Sequence, residues 1–320
     1  MLGGKAFELL TPTIGIKAEL SHCLYRRFAR TTCRHCVDIC PAAAIDLDNG
    51  PRIDPERCTA CRLCEAACPT GALSGDERSI GALAKALSEH PHPVLGCRAA
   101  GVQAHVHTGC LGFLDTEALL ALAIFFPAGL TLNCTRCDDC PGAGMLPTLT
   151  ASVESLRQLP GGPWLERVRL ARAPAEIGFR EAALSRREFF TFLRKRSADT
   201  ASIAANRLQS TPEPPPGGRK KLPPRRRLLL SALPLLGGEA RARLEALLFP
   251  SLTFIASCTS CTGCAGICPT GALTASDDEP PRPVFNPRLC TGCSLCAEFC
   301  RKRGIELSWH SGKTMPPPSV

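Results

Sequence analysis

The sequence predicts an α+β protein in which two cysteine-rich modules flank a small α/β middle domain and a helical segment. Cysteine accounts for 21 of the 320 residues and aromatic residues for only 5%. Bound groups, rather than large aromatic side chains, are therefore expected to organise the interior. Fifteen of the cysteines fall in two windows, residues 33–68 and 258–300. Between the windows, short apolar segments bounded by turn residues predict strands and helices.

The composition divides the chain into five segments. One of them is rich in Pro, Gly and basic residues, a composition that forms no core and predicts a semi-extended linker. The expected order is a cysteine-rich module at residues 1–80, an α/β middle domain at 81–150, a helical segment at 151–208, the Pro/Arg-rich linker at 209–227 and a second cysteine-rich module at 228–312.

Three cysteine runs share the spacing C-x2-C-x2-C-x3-C. Three thiolates in so tight a loop can each reach a different iron of one cube, while the fourth cysteine points toward a neighbouring cube. Structural zinc normally uses paired C-x2-C knuckles and four ligands in total, so the spacing favours iron–sulfur clusters. The runs are Cys58, Cys61, Cys64 and Cys68; Cys258, Cys261, Cys264 and Cys268; and Cys290, Cys293, Cys296 and Cys300.

The two modules also form an internal repeat. Residues 61–73 read CRLCEAACPTGAL and residues 261–273 read CTGCAGICPTGAL, which agree at eight of thirteen positions. The sequence between the two copies is unrelated to either. This pattern predicts two copies of one module on either side of an insertion.

On these motifs, both modules resemble the bacterial-type ferredoxin family that binds two [4Fe–4S] clusters. The chain as a whole resembles a polyferredoxin or an iron–sulfur subunit of a redox complex. The resemblance implies that each module is a dicluster ferredoxin-like βαββαβ fold with pseudo-twofold symmetry, and that it transfers single electrons at low potential. The alternating residues 44–47 before Asn49-Gly50 agree with it, because Asn-Gly favours a hairpin turn.

In the second module the resemblance implies two complete sets of ligands. One departure from the family pattern is Arg301, which follows Cys300 where the family has proline. The implied sets are Cys258, Cys261, Cys264 and Cys300 for cluster C, and Cys268, Cys290, Cys293 and Cys296 for cluster D.

The first module departs further from the family pattern, because Arg30 stands where a ligand is expected. Cys23 is the unassigned cysteine nearby, so we expect it to supply the missing thiolate. The alternatives are a [3Fe–4S] centre or no cluster, with Cys23 a buried free thiol. The implied sets are Cys40, Cys58, Cys61 and Cys64 for cluster B, and Cys23, Cys33, Cys36 and Cys68 for cluster A.

A third group of cysteines follows the strand candidates of the middle domain. Cys97, Cys110 and Cys134 each come just after a short apolar segment, and the carboxyl ends of parallel strands form ligand crevices. With Cys137 or Cys140 they predict a fifth cluster, while zinc and buried or redox-active thiols are the alternatives. Against a parallel sheet, only twelve residues lie between Cys97 and Cys110, barely enough for a crossover.

Two other sequence signals each have a simpler structural explanation. His105 and His107 alternate along a strand candidate, and a partly exposed edge is expected in preference to a ligand role. Residues 185–190, SRREFF, resemble a twin-arginine box but lie far along the chain, so an amphipathic basic helix that docks a partner is expected. The chain has no glycine motif typical of dinucleotide or phosphate binding.

Charge and hydropathy restrict the class of protein. The formal charge is +9, but a [4Fe–4S] core with four thiolates carries about −2, so four clusters would lower the total to about +1. Nucleic-acid binding is therefore not expected. The first residues lack the pattern of a signal peptide, and the longest apolar run, at residues 118–126, is too short to span a membrane. These features predict a cytoplasmic protein without a membrane span.

The sequence therefore predicts an electron-transfer protein with four or five [4Fe–4S] clusters. Its expected partners are a redox enzyme or other electron-transfer subunits, and a non-catalytic carrier is expected in preference to an enzyme. Two other functions remain open. One is an accessory or maturation factor for a redox enzyme, and the other is an iron–sulfur subunit with a catalytic cluster in the middle domain.

Overall fold

The fold is mixed α and β, with one four-stranded sheet and four two-stranded sheets in the part of the chain that is described. The computed structural model describes residues 15–48, 50–75, 78–100, 103–178 and 220–309. The SRREFF segment lies outside the described residues. None of the helices within these ranges is long and apolar enough to cross a membrane.

Residues 16–75 form the N-terminal cysteine unit, which contains four short strands and three short helices. The strands are β1 (Ile16–Ala18), β2 (Ile45–Asp46), β3 (Arg52–Ile53) and β4 (Leu73–Gly75), and the helices are α1 (Leu24–Arg27), α2 (His35–Asp38) and α3 (Leu63–Ala67). β1 pairs with β4 and β2 pairs with β3, both antiparallel. The predicted hairpin is therefore present as β2 and β3, the inner pair. In the sequence it lies between β1 and β4, which form the outer pair.

Residues 80–178 form the central sheet unit. Its strands are β5 (Val94–Cys97), β6 (Val106–Thr108), β7 (Leu130–Asn133) and β8 (Val168–Ala171), and its helices are α4 (Ile80–Leu87), α5 (Thr116–Phe125), α6 (Leu146–Ser155) and α7 (Trp164–Arg167). All the strands are parallel, in the order β6-β5-β7-β8. The strands predicted before Cys97, Cys110 and Cys134 are present. The prediction of a helical segment at residues 151–208 is wrong for β8. The residues of β8 form a strand because they pair with β7, and the local sequence does not encode that pairing.

α5 lies in the centre of this unit, because its sequence is apolar on every face. Its side chains from 118 to 123 are at most 1% exposed. Asp115 caps the helix by accepting a hydrogen bond from the Ala118 amide at 2.9 Å. The helix ends before Pro127, which disfavours a helical conformation in the residue that precedes it. Burial of each leucine in this helix contributes about 1.5–3 kcal/mol.

The C-terminal part begins with two helices, α8 (Pro224–Ala232) and α9 (Gly238–Leu248). α8 starts inside the predicted linker, where Pro224 occupies a position that favours the first turn of a helix. Residues 251–308 then form the C-terminal cysteine unit. It contains β9 (Ser251–Phe254), α10 (Gly263–Ile267), β10 (Leu273–Ala275), β11 (Pro283–Phe285), α11 (Leu295–Phe299) and β12 (Ile305–Ser308).

The two cysteine units share one topology but belong to different cores. β9 pairs with β12 and β10 with β11, both antiparallel, which repeats the outer pair and inner hairpin of the N-terminal unit. Leu63 and Leu73 of the N-terminal unit share a hydrophobic core with the central sheet unit, α8 and α9. The C-terminal unit has a separate, smaller core that includes Leu273 and Ile305.

Candidate metal centres

The three full cysteine runs share one backbone conformation around their second cysteine. In each run the residues immediately before and after that cysteine have positive φ, which side chains other than glycine rarely adopt. One left-handed residue on each side of the second cysteine makes the loop turn tightly, so that the cysteine sulfurs of the run can face a common space. These residues are Ala60 and Arg62 (+53° and +63°), Ser260 and Thr262 (+52° and +54°), and Gly292 and Ser294 (+69° and +59°).

The last cysteine of a run is followed by a second repeated feature. The residue three positions later again has positive φ, as at Ala43, Gly71, Gly271 and Arg303. This turn directs the next amide toward the sulfur at three of the four sites. Amide hydrogen bonds to a thiolate favour its negative charge and tune the potential of a bound cluster. The donors are Ala44 to Cys40 at 3.3 Å, Ala72 to Cys68 at 3.2 Å and Gly304 to Cys300 at 3.3 Å.

Four cysteines of the N-terminal unit line one pocket, and they are the set expected for cluster A. The pocket is lined on its other sides mostly by apolar groups such as Leu24 and Ala72. Cys23 precedes α1, so its thiol enters the pocket from a segment outside the cysteine runs. The four cysteines are Cys23, Cys33, Cys36 and Cys68.

The thiols of this pocket interact electrostatically. Burial is the main cause that raises the pKa of Cys33 to about 11 and of Cys36 to about 12, and the negative charges of Cys68 and Cys23 raise both further. Burial also raises the pKa of Cys23. At neutral pH the thiols of Cys23, Cys33 and Cys36 are therefore protonated without a bound cation, and binding of a metal cluster must release their protons.

The set expected for cluster B is similarly grouped. Burial raises the pKa of Cys64, and the charges of Cys61, Cys36, Cys58 and Cys40 raise it further. Three of these neighbours belong to this expected set, and Cys36 belongs to the set expected for cluster A. Cys64 therefore lies between the two groups, on α3, which packs against α2.

The C-terminal unit brings together the sets expected for clusters C and D. For cluster D, burial raises the pKa of Cys293 and Cys296, the latter to about 12, and the charge of Cys268 adds to both. For cluster C, the pKa of Cys264 is raised by burial and by Cys258 and Cys261.

Gly304 connects the fourth cysteine of cluster C to the first. Its amide donates to the sulfur of Cys300, and a Cβ at this position would lie 2.7 Å from the Cα of Cys258. Only glycine therefore allows β12 to approach the first cysteine of the unit so closely.

Two adjacent arginines of α8 reach different cysteine units. Arg225 donates to the carbonyl oxygen of Cys68 at 2.7 Å and pairs with Asp115 at 2.7 Å. Arg226 is 1% exposed, pairs with Glu117 and donates to the carbonyl oxygen of Cys290 at 2.5 Å. Each positive charge is thus held beside the backbone of a candidate cluster ligand.

A second set of contacts joins the two units directly. Glu298 accepts hydrogen bonds from Thr31 at 2.5 Å and from Thr32 at 2.8 Å. The rings of Phe28 and Phe299 meet edge to face, with centroids 5.6 Å apart. These contacts place the segment around the cluster A cysteines next to the end of α11.

The central sheet unit holds the remaining five cysteines. Cys97 ends β5, Cys134 follows β7 and Cys110 lies two residues after β6. Because the three strands are parallel, these cysteines lie at one edge of the sheet. The short connection doubted from the sequence is present, since β6 pairs with β5 in parallel after only eight residues.

His105 and His107 differ from ligands in their surroundings. The Nδ1 atom of His105 accepts a hydrogen bond from the Val94 amide at 3.0 Å, and its ring stacks on that of His90. His107 is exposed on β6. A structural role at the sheet edge therefore accounts for His105.

A family model described as a 4Fe-4S dicluster domain matches residues 29–72. The chain therefore contains an iron–sulfur domain of the ferredoxin type, which supports a [4Fe–4S] cofactor and a role in iron–sulfur electron transfer. The match covers seven cysteines of the N-terminal unit and leaves Cys23 outside it. No curated protein and no solved structure gives a significant match to the chain.

Several residues of these sites were not found from the sequence. Arg225 and Arg226 fell inside the predicted linker, and Gly304 carried no signal of its own. The Pro/Arg-rich composition predicted a linker, so no structural role was expected for these arginines. Their partners Asp115 and Glu117 lie more than 100 positions away in the sequence, so the local sequence does not indicate the pairing. A clue was available in the LLLSAL stretch at residues 228–233, whose apolar residues indicate that a packed helix follows.

Proposed function

We infer that the chain is an electron-transfer protein that carries four [4Fe–4S] clusters in two ferredoxin-like modules and relays electrons to or from a redox enzyme. The observation that carries this proposal is the pocket shared by Cys23, Cys33, Cys36 and Cys68. Two buried and two half-buried thiols from three segments face one space, although Arg30 occupies the expected ligand position. This donor set fits a cubic cluster, in which each thiolate binds a different iron.

The C-terminal unit supports a second module by its topology and its loops. It repeats the outer strand pair and inner hairpin of the N-terminal unit. The left-handed residues around Cys261 and Cys293 repeat those around Cys61. In this proposal, cysteines Cys258, Cys261, Cys264 and Cys300 hold cluster C, and Cys268, Cys290, Cys293 and Cys296 hold cluster D.

The contacts between the units favour the order C, D, A, B for the relay. Burial lowers the pKa of Arg27, while the negative charges of Cys268 and Cys293 act in the opposite direction. Arg27 belongs to α1, which begins directly after Cys23. Clusters A and D therefore face each other across the interface, and electrons cross between the units there. Reducing conditions in the cytoplasm would keep all ligand thiols available, so we place the protein in that compartment.

The first test counts the clusters. The full chain, purified without oxygen, is analysed for iron, acid-labile sulfide and zinc. Four clusters correspond to about 16 irons and as many sulfides per chain. Mostly zinc with little sulfide would overturn the proposal.

Cys23→Ser tests the ligand set of cluster A. The variant should lose between one and four irons, because its fourth thiolate is gone and the site retains a [3Fe–4S] centre or none. Cys140→Ser, outside all four sets, is the matched control and should keep the full complement. Unchanged iron and an unchanged reduced EPR spectrum in Cys23→Ser would exclude Cys23 as a ligand.

A further inference from the structure

The carboxyl edge of the parallel sheet carries five cysteines that the four-cluster relay does not use. Cys97, Cys134 and Cys137 are 8%, 0% and 4% exposed. All 21 cysteines of the chain are free thiols, so this group is not consumed by disulfides. Cysteines that are buried at the ends of β5 and β7 and half-buried after β6 form a convergent site at one sheet edge rather than scattered core residues.

Four of the five are grouped around one space. Burial raises the pKa of Cys110 to about 12, and the charges of Cys61, Cys97 and Cys137 add to this effect. The Cys134 thiol hydrogen-bonds to Cys137 and is also influenced by Cys97. Cys137 thus neighbours each of the other three. Cys140 also lies near Cys97, but its sulfur accepts a hydrogen bond from the Gly142 amide at 3.4 Å, on the side of the loop that faces Cys61.

We propose that Cys97, Cys110, Cys134 and Cys137 hold a fifth iron–sulfur cluster of the [4Fe–4S] type, in electronic contact with cluster B. Four thiolates from three strand ends fit a cube, because a cube binds four thiolates through four separate irons. Zinc, which needs four ligands around one ion, is the competing occupant that the metal analysis below distinguishes.

Contact with cluster B follows from the packing of its loop on the sheet. A Cβ on Gly112, two residues after Cys110, would overlap the carbonyl oxygen of Cys61. At Gly142 a Cβ would lie 3.7 Å from both the Cys140 sulfur and the Cys61 Cβ. The two cysteine loops therefore touch through glycines, with little side-chain volume between them.

Arg62 fixes this contact from the other side. It lies between Cys61 and Cys64, is 5% exposed and donates to the Thr108 hydroxyl at the end of β6 at 2.7 Å. Its guanidinium also lies 3.9 Å from the centroid of the Phe113 ring. The cluster B loop is thus tied to the strand end that precedes Cys110.

The fifth cluster extends the relay by one step, so this inference rests on the proposed function for its electron donor. One electron leaves reduced cluster B, which returns to its oxidised state, and reduces the fifth cluster. No covalent bond forms or breaks. The chain then has an inner terminus in the central sheet unit and an outer terminus at cluster C, where Cys261 is exposed.

The experiment measures iron, sulfide and zinc in the full chain and in three variants purified without oxygen. The intact chain should contain about 20 irons, at four per cluster. Cys97→Ser and Cys137→Ser should each contain about four fewer irons. Cys140→Ser, the matched control in the same loop, should contain as many as the intact chain.

Spin counting on the fully reduced intact chain tests the same point without any substitution. Five one-electron-reduced clusters should give about five spins per chain, against about four without the fifth. About 16 irons and four spins, with both variants unaffected, would overturn the fifth cluster and leave the proposed function standing.

Other outcomes separate the remaining possibilities. One zinc per chain that disappears in Cys97→Ser would overturn the cluster in favour of a zinc site. Loss of iron from Cys140→Ser but not from Cys137→Ser would overturn the ligand assignment. Iron near zero in the intact chain would overturn the proposed function itself.

Discussion

The two cysteine units have the same strand topology but are built into the molecule differently. The N-terminal unit shares its core with the central sheet unit, and Cys61 is buried beneath Gly112. The C-terminal unit has its own small core, and Cys261 is exposed. The same fold therefore serves as an integrated part of a larger core in one case and as an attached module in the other. This difference predicts that loss of a cluster ligand in the N-terminal unit also destabilises the central sheet unit, whereas the same loss in the C-terminal unit destabilises that unit alone.

The repeated sequence also falls on different halves of the two units. CPTGAL precedes β4, the last strand of the N-terminal unit, but precedes β10, the first strand of the inner hairpin in the C-terminal unit. The sequence repeat thus relates non-equivalent positions. The proposed ligand sets make this possible, because in them each half of a unit supplies three cysteines to one cluster and one to the other.

The largest expected difference between the units concerns loss of a cluster ligand. Cys264→Ser should remove about eight irons at most, because both clusters proposed for the C-terminal unit depend on its small core. Cys64→Ser should lose more iron and unfold the chain at a markedly lower temperature, since Cys64 belongs to the shared core. Iron analysis beside thermal unfolding by circular dichroism checks this order. Equal effects of the two variants on thermal unfolding would contradict the comparison.

A smaller effect is expected where α8 joins the units. Arg226→Met leaves the buried Glu117 without its partner and should lower the free energy of unfolding by about 3–5 kcal/mol. Adding Glu117→Gln should recover part of the loss. Arg227→Met is the control, because the Nε atom of Arg227 is buried without a hydrogen bond. Denaturant unfolding measures all three, and a loss in Arg227→Met as large as in Arg226→Met would exclude the ion pair as the cause.

Without its metal, the N-terminal unit should become less stable at alkaline pH. The folded pKa values of Cys33 and Cys36 are raised from 9.0 to about 11 and 12. Their protonated thiols therefore stabilise the apoprotein fully below pH 9, and this contribution is lost as the pH rises toward 11 to 12. The cluster-free chain, kept reduced, should need less denaturant to unfold at the higher pH. A Cys33→Ser/Cys36→Ser chain should show a weaker dependence, and an equally steep one would assign the effect to other thiols.

The smallest effect is expected at the direct contact between the units. Glu298→Gln weakens the hydrogen bonds from Thr31 and Thr32 and should cost about 0.5–1.5 kcal/mol. Glu306→Gln, exposed on β12 of the same unit, should change the stability little. Denaturant unfolding of the two variants side by side decides whether the contact contributes.

The sequence predicted the parts of this molecule that local spacing encodes. Residues close together in the chain determine these parts. They are the loops formed by the cysteine runs, the hairpin at β2 and β3, and the strands before Cys97 and Cys134. It did not predict β8, whose four residues become a strand by pairing with β7 across the central sheet unit. It also did not predict the roles of Arg226 and Gly112. Arg226 contacts Cys290 and Gly112 contacts Cys61, and each of these partners lies in another unit.

The neighbouring positions of Arg225 and Arg226 also constrain how the chain can change in length. Successive residues of a helix are about 100° apart around its axis, which lets two adjacent side chains reach two different units. A substitution at either arginine removes one of these contacts. A single residue inserted into the first turn of α8 would rotate the arginines relative to the rest of the helix and remove both. The helix therefore tolerates point changes better than insertions or deletions.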